Sequence, residues 1–255
     1  MKINETGTVV SQKEIAKGIF DLEIATKIAE ISKPGQFVMV YPADGTTILP
    51  RPISIAEVKD SSIRLVYRVV GKGTHEFSEL KVGDSVKLLG SIGNGFPLEK
   101  AEGKNAVLMG GGIGVPPILE LSKKLNAKEK TAVLGYRDNS LFLKEDFDKY
   151  IDVKVATEDG SVGTKGNVLD VLRNENIECD VIYACGPMPM LRAIKQYAEE
   201  KNIEAYISLE ERMACGVGAC LGCVVKTKEK DHHSNVNNAR ICTEGPVFDA
   251  REVMI

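Results

Sequence analysis

The stretch VLMGGGIGVPP, Val107 to Pro117, decides how this chain is read. Val107, Leu108 and Met109 form an unbroken apolar run, as in a strand buried on both faces. Gly110, Gly111, Gly112 and Gly114 follow at once. Pro116 suits a first helical turn, and Ile118, Leu121 and Leu125 then fall on one face. The rhythm repeats downstream. TAVLGYR (131–137), VKVATED (153–159) and VIYACG (181–186) read as strands, and GNVLDVLRN (166–174) and PMLRAIKQYAEEKN (189–202) as helices. Strands alternating with helices imply a parallel, doubly wound sheet.

Upstream the pattern is different. TGTVVSQ (6–12), QFVMVY (36–41), RPISIAEV (51–58), SIRLVYRVV (62–70) and DSVKLLG (84–90) are short runs rich in Val, Ile and Leu. Pro34-Gly35, Asp44-Gly45 and Gly71-Lys72-Gly73 supply turn chemistry between them. This spacing predicts an antiparallel barrel or sandwich, with a generic all-β domain as the plain alternative. Downstream of Glu204 lies a short cysteine-bearing region, too small for much of a core of its own. The expected division is a barrel over 1–101, an α/β sheet over 102–205 and a small third domain over 206–255.

Composition narrows the function classes. The 255 residues carry a net charge of −3 with both signs mixed, which speaks against a nucleic-acid surface or polybasic anchor. Trp is absent and aromatics are few, against an aromatic-lined groove. No apolar run approaches the roughly 20 residues that span a bilayer. MKINETGTVV lacks a signal-like apolar stretch, so a cytoplasmic protein is expected. There, clustered cysteines hold metal or do chemistry more often than they pair.

The cysteines are the sharpest signal. In RMACGVGACLGCVV (212–225), Cys215, Cys220 and Cys223 are spaced C-x4-C-x2-C, and Cys242 follows. That is the plant-type ferredoxin spacing, in which four thiolates hold a 2Fe–2S cluster. Gly216, Gly218, Ala219 and Gly222 let backbone amides approach the sulfurs. A structural zinc site would use two separated C-x2-C pairs, and only one is present. Buried, inert thiols are the other alternative. Cys179, outside any motif, reads as a small buried hydrophobe, and His232 and His233 as solvated loop residues.

Three segments point to nucleotides. In LPRPISIAEV, Arg51 can pair with a pyrophosphate, Ser54 can hydrogen-bond a flavin ring, and Pro50 and Pro52 stiffen the strand. In LVYRVVGKGT, Tyr67 offers stacking, Arg68 charge, and Gly73 with Thr74 a phosphate turn. Taken alone, the first segment is equally an edge strand with a solvated arginine. The glycine run is not a G-x-G-x-x-G fingerprint, since the sixth positions are Val115 and Pro117. A ligand-free strand–helix turn explains it nearly as well as a pyrophosphate at the helix start. YACGPMPML strengthens the nucleotide case, because Cys185, Gly186 and Pro187 end a strand where open α/β sheets bind ligands. Cys185, expected to be partly exposed there, is a candidate beside the nicotinamide or else a buried hydrophobe. Arg137, in GYRD, is compatible with either NAD or NADP.

The order of RPISI, YRVVGKGT and GSIGNGF ahead of an α/β domain resembles the ferredoxin–NADP reductase superfamily. With GGGIGVPP, ACGPMPML, SLEERMACGVGACLGCVV and ICTEGPVFDAREV added, the chain resembles the electron-transfer subunits of type B dihydroorotate dehydrogenase from about position 51 to its end. The resemblance implies FAD on Arg51, Pro52, Ile53, Ser54, Val66, Tyr67, Arg68, Gly73 and Thr74. The Cys-Gly-Pro signature resembles the reductase superfamily's, where it flanks the nicotinamide, which implies Gly186 and Pro187 at NAD with Cys185 beside it; Gly110, Gly111, Gly112 and Gly114 at the strand–helix turn are the accompanying NAD candidates. The resemblance implies a 2Fe–2S cluster on Cys215, Cys220, Cys223 and Cys242. It further implies a partner subunit with FMN that oxidises dihydroorotate for pyrimidine synthesis, in an assembly of two copies of each subunit. The stretch KTKEKDHHSNVNNAR (226–240) is longer than that pattern leads one to expect. The rival family, small subunits of NADH-dependent ferredoxin–NADP oxidoreductase or of sulfide dehydrogenase, commonly has aspartate as first cluster ligand, where this chain has Cys215. A non-catalytic scaffold with a zinc-stapled tail would leave the nucleotide motifs unused.

Overall fold

The structure is a computed structural model describing residues 2–43, 47–230 and 235–255. The expected turn at Asp44-Gly45 and the loop histidines His232 and His233 lie outside those residues. The first half of the chain runs β1 (Ile3–Ala16), β2 (Ile19–Ala25), β3 (Phe37–Tyr41), β4 (Arg51–Val58), β5 (Ser62–Arg68), α1 (Lys72–Ser78) and β6 (Ser85–Ile92). The six strands close an antiparallel barrel in the order β1-β2-β5-β4-β3-β6. Leu22, Ile24, Val38, Ile63, Leu65 and Leu88 fill it.

Two elements depart from the sequence reading. β2 was hidden by Asp21 and Glu23, which lower strand propensity; Asp21 is instead buried against Arg64 of β5. Gly71-Lys72-Gly73 is the start of α1 rather than a plain turn. The Thr74 hydroxyl accepts hydrogen bonds from the amides of Val70 (2.9 Å) and Gly71 (3.2 Å), capping the helix from its third position.

The second half runs β7 (Asn105–Gly111), α2 (Pro116–Lys124), β8 (Glu129–Tyr136), α3 (Lys144–Phe147), β9 (Asp152–Thr157), β10 (Thr164–Lys165), α4 (Val168–Asn174), β11 (Val181–Cys185), α5 (Met188–Lys201) and β12 (Glu204–Ser208). The chain ends with β13 (Val224–Lys226), β14 (Asn238–Arg240) and β15 (Val247–Asp249). The sheet order is β10-β9-β8-β7-β11-β12-β15, parallel except for β15, which pairs antiparallel with β12. Strand order reverses between β7 and β11, where Gly110 faces Cys185. Crevices open at such switch points.

Residues 116–122 of α2 are all buried, Glu120 included, because the helix is wedged between the barrel and the sheet, and only its last two lysines reach solvent. Among the described residues the cysteine region has no separate core. Met213, Cys223, Ile241, Cys242 and Phe248 share one apolar cluster with Ile182 and Ala184 of the sheet and Phe37 and Met39 of the barrel. The expected boundary at 205/206 falls inside β12. Among the described residues, no helix is long and apolar enough to cross a membrane.

Candidate functional site

A cleft of about 830 Å³ opens where the barrel meets the sheet, within the usual range for a cofactor site. Its barrel wall holds Arg51, Pro52, Ile53 and Ser54 of β4, Val66, Tyr67 and Arg68 of β5, and Thr74 of α1. Its opposite wall holds Ile113, from the glycine turn after β7, and the segment Ser208 to Met213 that follows β12. Two residues after Met213 the chain reaches Cys215. One cavity thus touches all three motif regions.

Arg51 is held by donating from Nη1 to the Leu49 carbonyl at 2.6 Å. A Cβ on Gly73 would stand 2.9–3.0 Å from the Arg51 guanidinium, so glycine here leaves the space the arginine uses. Ser54, opposite Phe37 in the β3–β4 ladder, is half-buried at the cleft. These positions fit a cofactor with a phosphate and a flat ring. Tyr67 does not fit the stacking role expected of it. Alternation along β5 turns its ring into the barrel, 3% exposed, between Phe20 and Phe77. Burial pushes its hydroxyl up to about 12, against the opposing effect of the Gln12 hydrogen bond. The Thr74 hydroxyl is likewise committed, to capping α1.

The nicotinamide candidates divide. None of Cys185, Gly110, Gly111, Gly112, Gly114, Gly186 and Pro187 lines this cleft. A Cβ on Gly114 would lie 2.4 Å from the Cys185 carbonyl oxygen, and one on Gly111 2.4 Å from Met190 Sδ. Gly186 is also closed in by Met190. These glycines serve the close approach of β7, β11 and α5. Gly112 is different: its φ is +53° and nothing lies within 4 Å of its Cβ position. It and the exposed Pro187 mark the open rim of the switch point. Cys185 is buried rather than partly exposed, at 1%, because Val181, Tyr183 and Cys185 face the core on alternate positions of β11. Burial raises its thiol well above the ordinary range, and Glu210 adds to the effect. Cys179 is half-buried against the apolar cluster, and desolvation pushes its thiol up to about 12.

The segment Ser208–Met213 is the part of the site that sequence reasoning did not assign. It brings Glu210, Glu211 and Arg212 to the cleft. Glu210 is open to the cleft, yet the surrounding protein raises its carboxyl above the ordinary value by desolvation. The signal available was its direct continuity with the cysteine loop.

The four thiols come together in two neighbouring pairs, Cys215 with Cys220 and Cys223 with Cys242. Burial works against ionisation of Cys215, but the amides of Val217, Cys220 and Ala219 outweigh it and bring the thiol down to about 6. The Val217 amide donates to Cys215 Sγ at 3.4 Å. Burial and the neighbouring Cys223 push Cys242 up to about 12, while the Gly218 amide acts in the opposite sense. Two thiols for each of two irons, with amides directed at sulfur, suits a two-iron cluster. Among the described residues no three His, Cys, Asp or Glu side chains gather as they would around one ion. The loop glycines also serve packing: Gly216, with φ +65°, sits against Met39, and Gly218, with φ +84°, against Thr243.

Comparison with known proteins follows the same lines. Residues 210–254 match the family model for the iron–sulfur cluster binding domain of dihydroorotate dehydrogenase B. "Dihydroorotate dehydrogenase B (NAD(+)), electron transfer subunit" of Bacillus cereus strain B4264 is 46% identical over 255 residues, covering 97% of each chain. The protein of the same name from Bacillus anthracis strain A0248 is 45% identical over the same shares. Among solved structures, the NADH-dependent reduced ferredoxin–NADP oxidoreductase superposes with a TM-score of 0.86 at 30% identity, over 97% of this chain and 89% of that one. A ferredoxin–NADP+ reductase of Neisseria gonorrhoeae, at 16% identity and a TM-score of 0.67, over 82% of this chain and 94% of that one, shares the fold. Fold, two-pair cysteine site and full-length identity agree: the chain belongs to the family of dihydroorotate dehydrogenase B (NAD(+)) electron transfer subunits.

Proposed function

We propose that this chain passes electrons from a dihydroorotate-oxidising partner to NAD, with the barrel (1–101) holding FAD, the sheet (102–205) presenting NAD and the segment 206–255 holding the cluster. The carrying observation is the single cleft bounded by the Arg51–Ser54 strand, the glycine turn and the segment running into Cys215. When bound, the flavin exchanges hydride with the nicotinamide and single electrons with the cluster, so it joins a two-electron carrier to a one-electron carrier.

The residues bind and orient. Arg51 supplies a fixed cation for a pyrophosphate, beside the space left by Gly73 and the Thr74 backbone. Pro52, Ile53 and Ser54 offer an extended edge for the ring, and Val66, Tyr67 and Arg68 close the floor, Tyr67 through its main chain. Gly112 and Pro187 leave the switch point open for the dinucleotide. Gly110, Gly111, Gly114 and Gly186 keep the two strand ends close, and Cys185 packs behind them. Cys215, Cys220, Cys223 and Cys242 ligate the irons.

In this reading the partner carries FMN, two copies of each subunit assemble, and the complex works in the cytoplasm within pyrimidine synthesis. Neither a nucleic acid nor a membrane is a partner. Purified complex tests it. Flavin released on denaturation, iron and acid-labile sulfide in equal amounts, and orotate formation coupled to NADH formation are expected. Colourless protein, or one zinc in place of iron, would refute the assignment.

A further inference from the structure

The barrel and the sheet are joined along a second line, away from the cleft, by a network of buried charges. Arg64 of β5, its side chain 11% exposed, donates to Asp21 at 2.7–3.1 Å, to Glu57 of β4 at 3.1 Å and to Asp146 of α3 at 2.9 Å. Lys123 of α2 reaches back to Glu57 at 2.8 Å and lies 3.5 Å from Glu120. Glu120 accepts the Val58 amide of β4 at 2.9 Å. The ties therefore cross the domain junction in both directions, beside an apolar seam where Ala56 and Val66 share a cluster with Val115 and Ile118.

Three elements enter this network at one end and the cleft at the other. On β5, Arg68 is at the cleft and Arg64 in the network, about 13 Å apart along a strand. On β4, Ser54 is at the cleft and Glu57 in the network, about 10 Å apart. Ile113, just before α2, is at the cleft, and Glu120 lies about 10 Å further on. A rotation at the network therefore moves one cleft wall against the other. The cluster loop meets the barrel away from this network, with Gly216 against Met39 and Ile92, while its segment is also tied to the sheet through β15 on β12 and the shared apolar cluster.

We propose that Arg64, Glu57, Asp146, Lys123 and Glu120 act as positioning residues that set the gap across the cleft, and so govern exchange between the nicotinamide and the flavin more strongly than exchange between the flavin and the cluster, whose loop has its own contact with the barrel. The proposal rests on the reading of the cleft as the flavin site.

Asp146→Asn and Lys123→Met, in the assembled holoenzyme, test it. Flavin and iron contents are measured first; a wild-type complex without flavin overturns both the reading and the proposal. In rapid mixing, flavin reduction by NADH should slow about tenfold in each variant, because small misplacements cost that much or more. NADH affinity should stay within about twofold, and flavin reduction by dihydroorotate, which enters through the cluster, should slow by less than about twofold. The long-wavelength absorbance of the nicotinamide–flavin pair should weaken, and hydrogen exchange at Val58 should quicken in Lys123→Met. Asp146→Glu should restore the NADH rate. Unchanged NADH rates in both variants, with flavin present, would overturn the proposal alone. So would equal slowing from both directions, which is the mark of a merely structural role.

Discussion

Val9, Leu22, Ile24, Ile63 and Leu65 of the barrel pack against one another, and the strands that carry them close on themselves. In the cysteine segment, Met213, Cys223, Ile241 and Phe248 pack against residues of both other regions, and β15 is paired to β12. One region makes its own interior; the other borrows two. The borrowing has a functional side. A segment laid against the sheet and against Met39 of the barrel places its thiols within a few residues of the cleft, where a free-standing mini-domain would leave that distance to a linker.

The largest break in this comparison is Cys220→Ser. Cys220 is exposed, so the change should remove the cluster and bring dihydroorotate-to-NAD flow to background while the fold persists. NADH-driven reduction of a soluble dye should largely survive. Iron content, the two assays and a melting curve decide it; equal loss of both activities with the fold intact would contradict the proposed order of carriers. Cys242→Ser, at a buried position, should lower the melting temperature as well.

Next comes Gly114→Ala. The new methyl would meet the Cys185 carbonyl at 2.4 Å, and backbone cannot give way as a side chain can. A cost of about 3 kcal/mol follows, or roughly 6–12 °C in thermal unfolding. Gly216→Ala sharpens the comparison more gently. Its φ of +65° and the Met39 contact at 2.7 Å together cost about 2 kcal/mol, softened by the flexible methionine. Because that contact joins the cluster loop to the barrel, the variant should also lose iron faster to a chelator than wild type.

Acid should act on the junction before the barrel interior. Burial works against ionisation of Glu57, yet hydrogen bonds from Lys123 and Arg64 outweigh it and hold its carboxyl below the ordinary 4.5. Asp146 is held down in the same way, by Lys149 and Arg64 against burial. Arg64 faces Glu57, Asp146 and Asp21, and Lys123 faces Glu57 and Glu120. A lowered folded value means the stabilisation is complete above the unfolded value and is lost as pH falls through the folded one. Unfolding followed from pH 6 to pH 3 should therefore show a loss of about 1 kcal/mol below pH 4.5, and Glu57→Gln should flatten that slope. The smallest effect is Gly112→Ala, with a left-handed backbone but open surroundings: about 1 kcal/mol.

Much of this was legible in the residues. Periodicity and turn chemistry specify β4, β7, α4 and β11 almost to the residue, because apolar spacing is a local property. Cysteine spacing singles out the four thiols proposed as cluster ligands, because a two-iron centre constrains how far apart along a loop its thiolates can lie, and the fold sets them in two neighbouring pairs. Other features depend on partners distant in sequence. β2 accommodates a buried Asp21 because that carboxylate meets Arg64, 43 positions on. Tyr67 and Cys185 lie at positions that suit a cofactor contact, but which face of a strand looks inward is settled by what packs on it. The glycines of the 110–114 run look alike in the sequence, and only the approach of Val115 to Gly110, of α5 to Gly111 and of β11 to Gly114 separates those that serve packing from Gly112, which stays open. The cleft wall from Ser208 to Met213, the shared core of the cysteine segment and the ion network across the junction exist only once three separately coded regions are brought together, since each needs surfaces that no single stretch of chain contains.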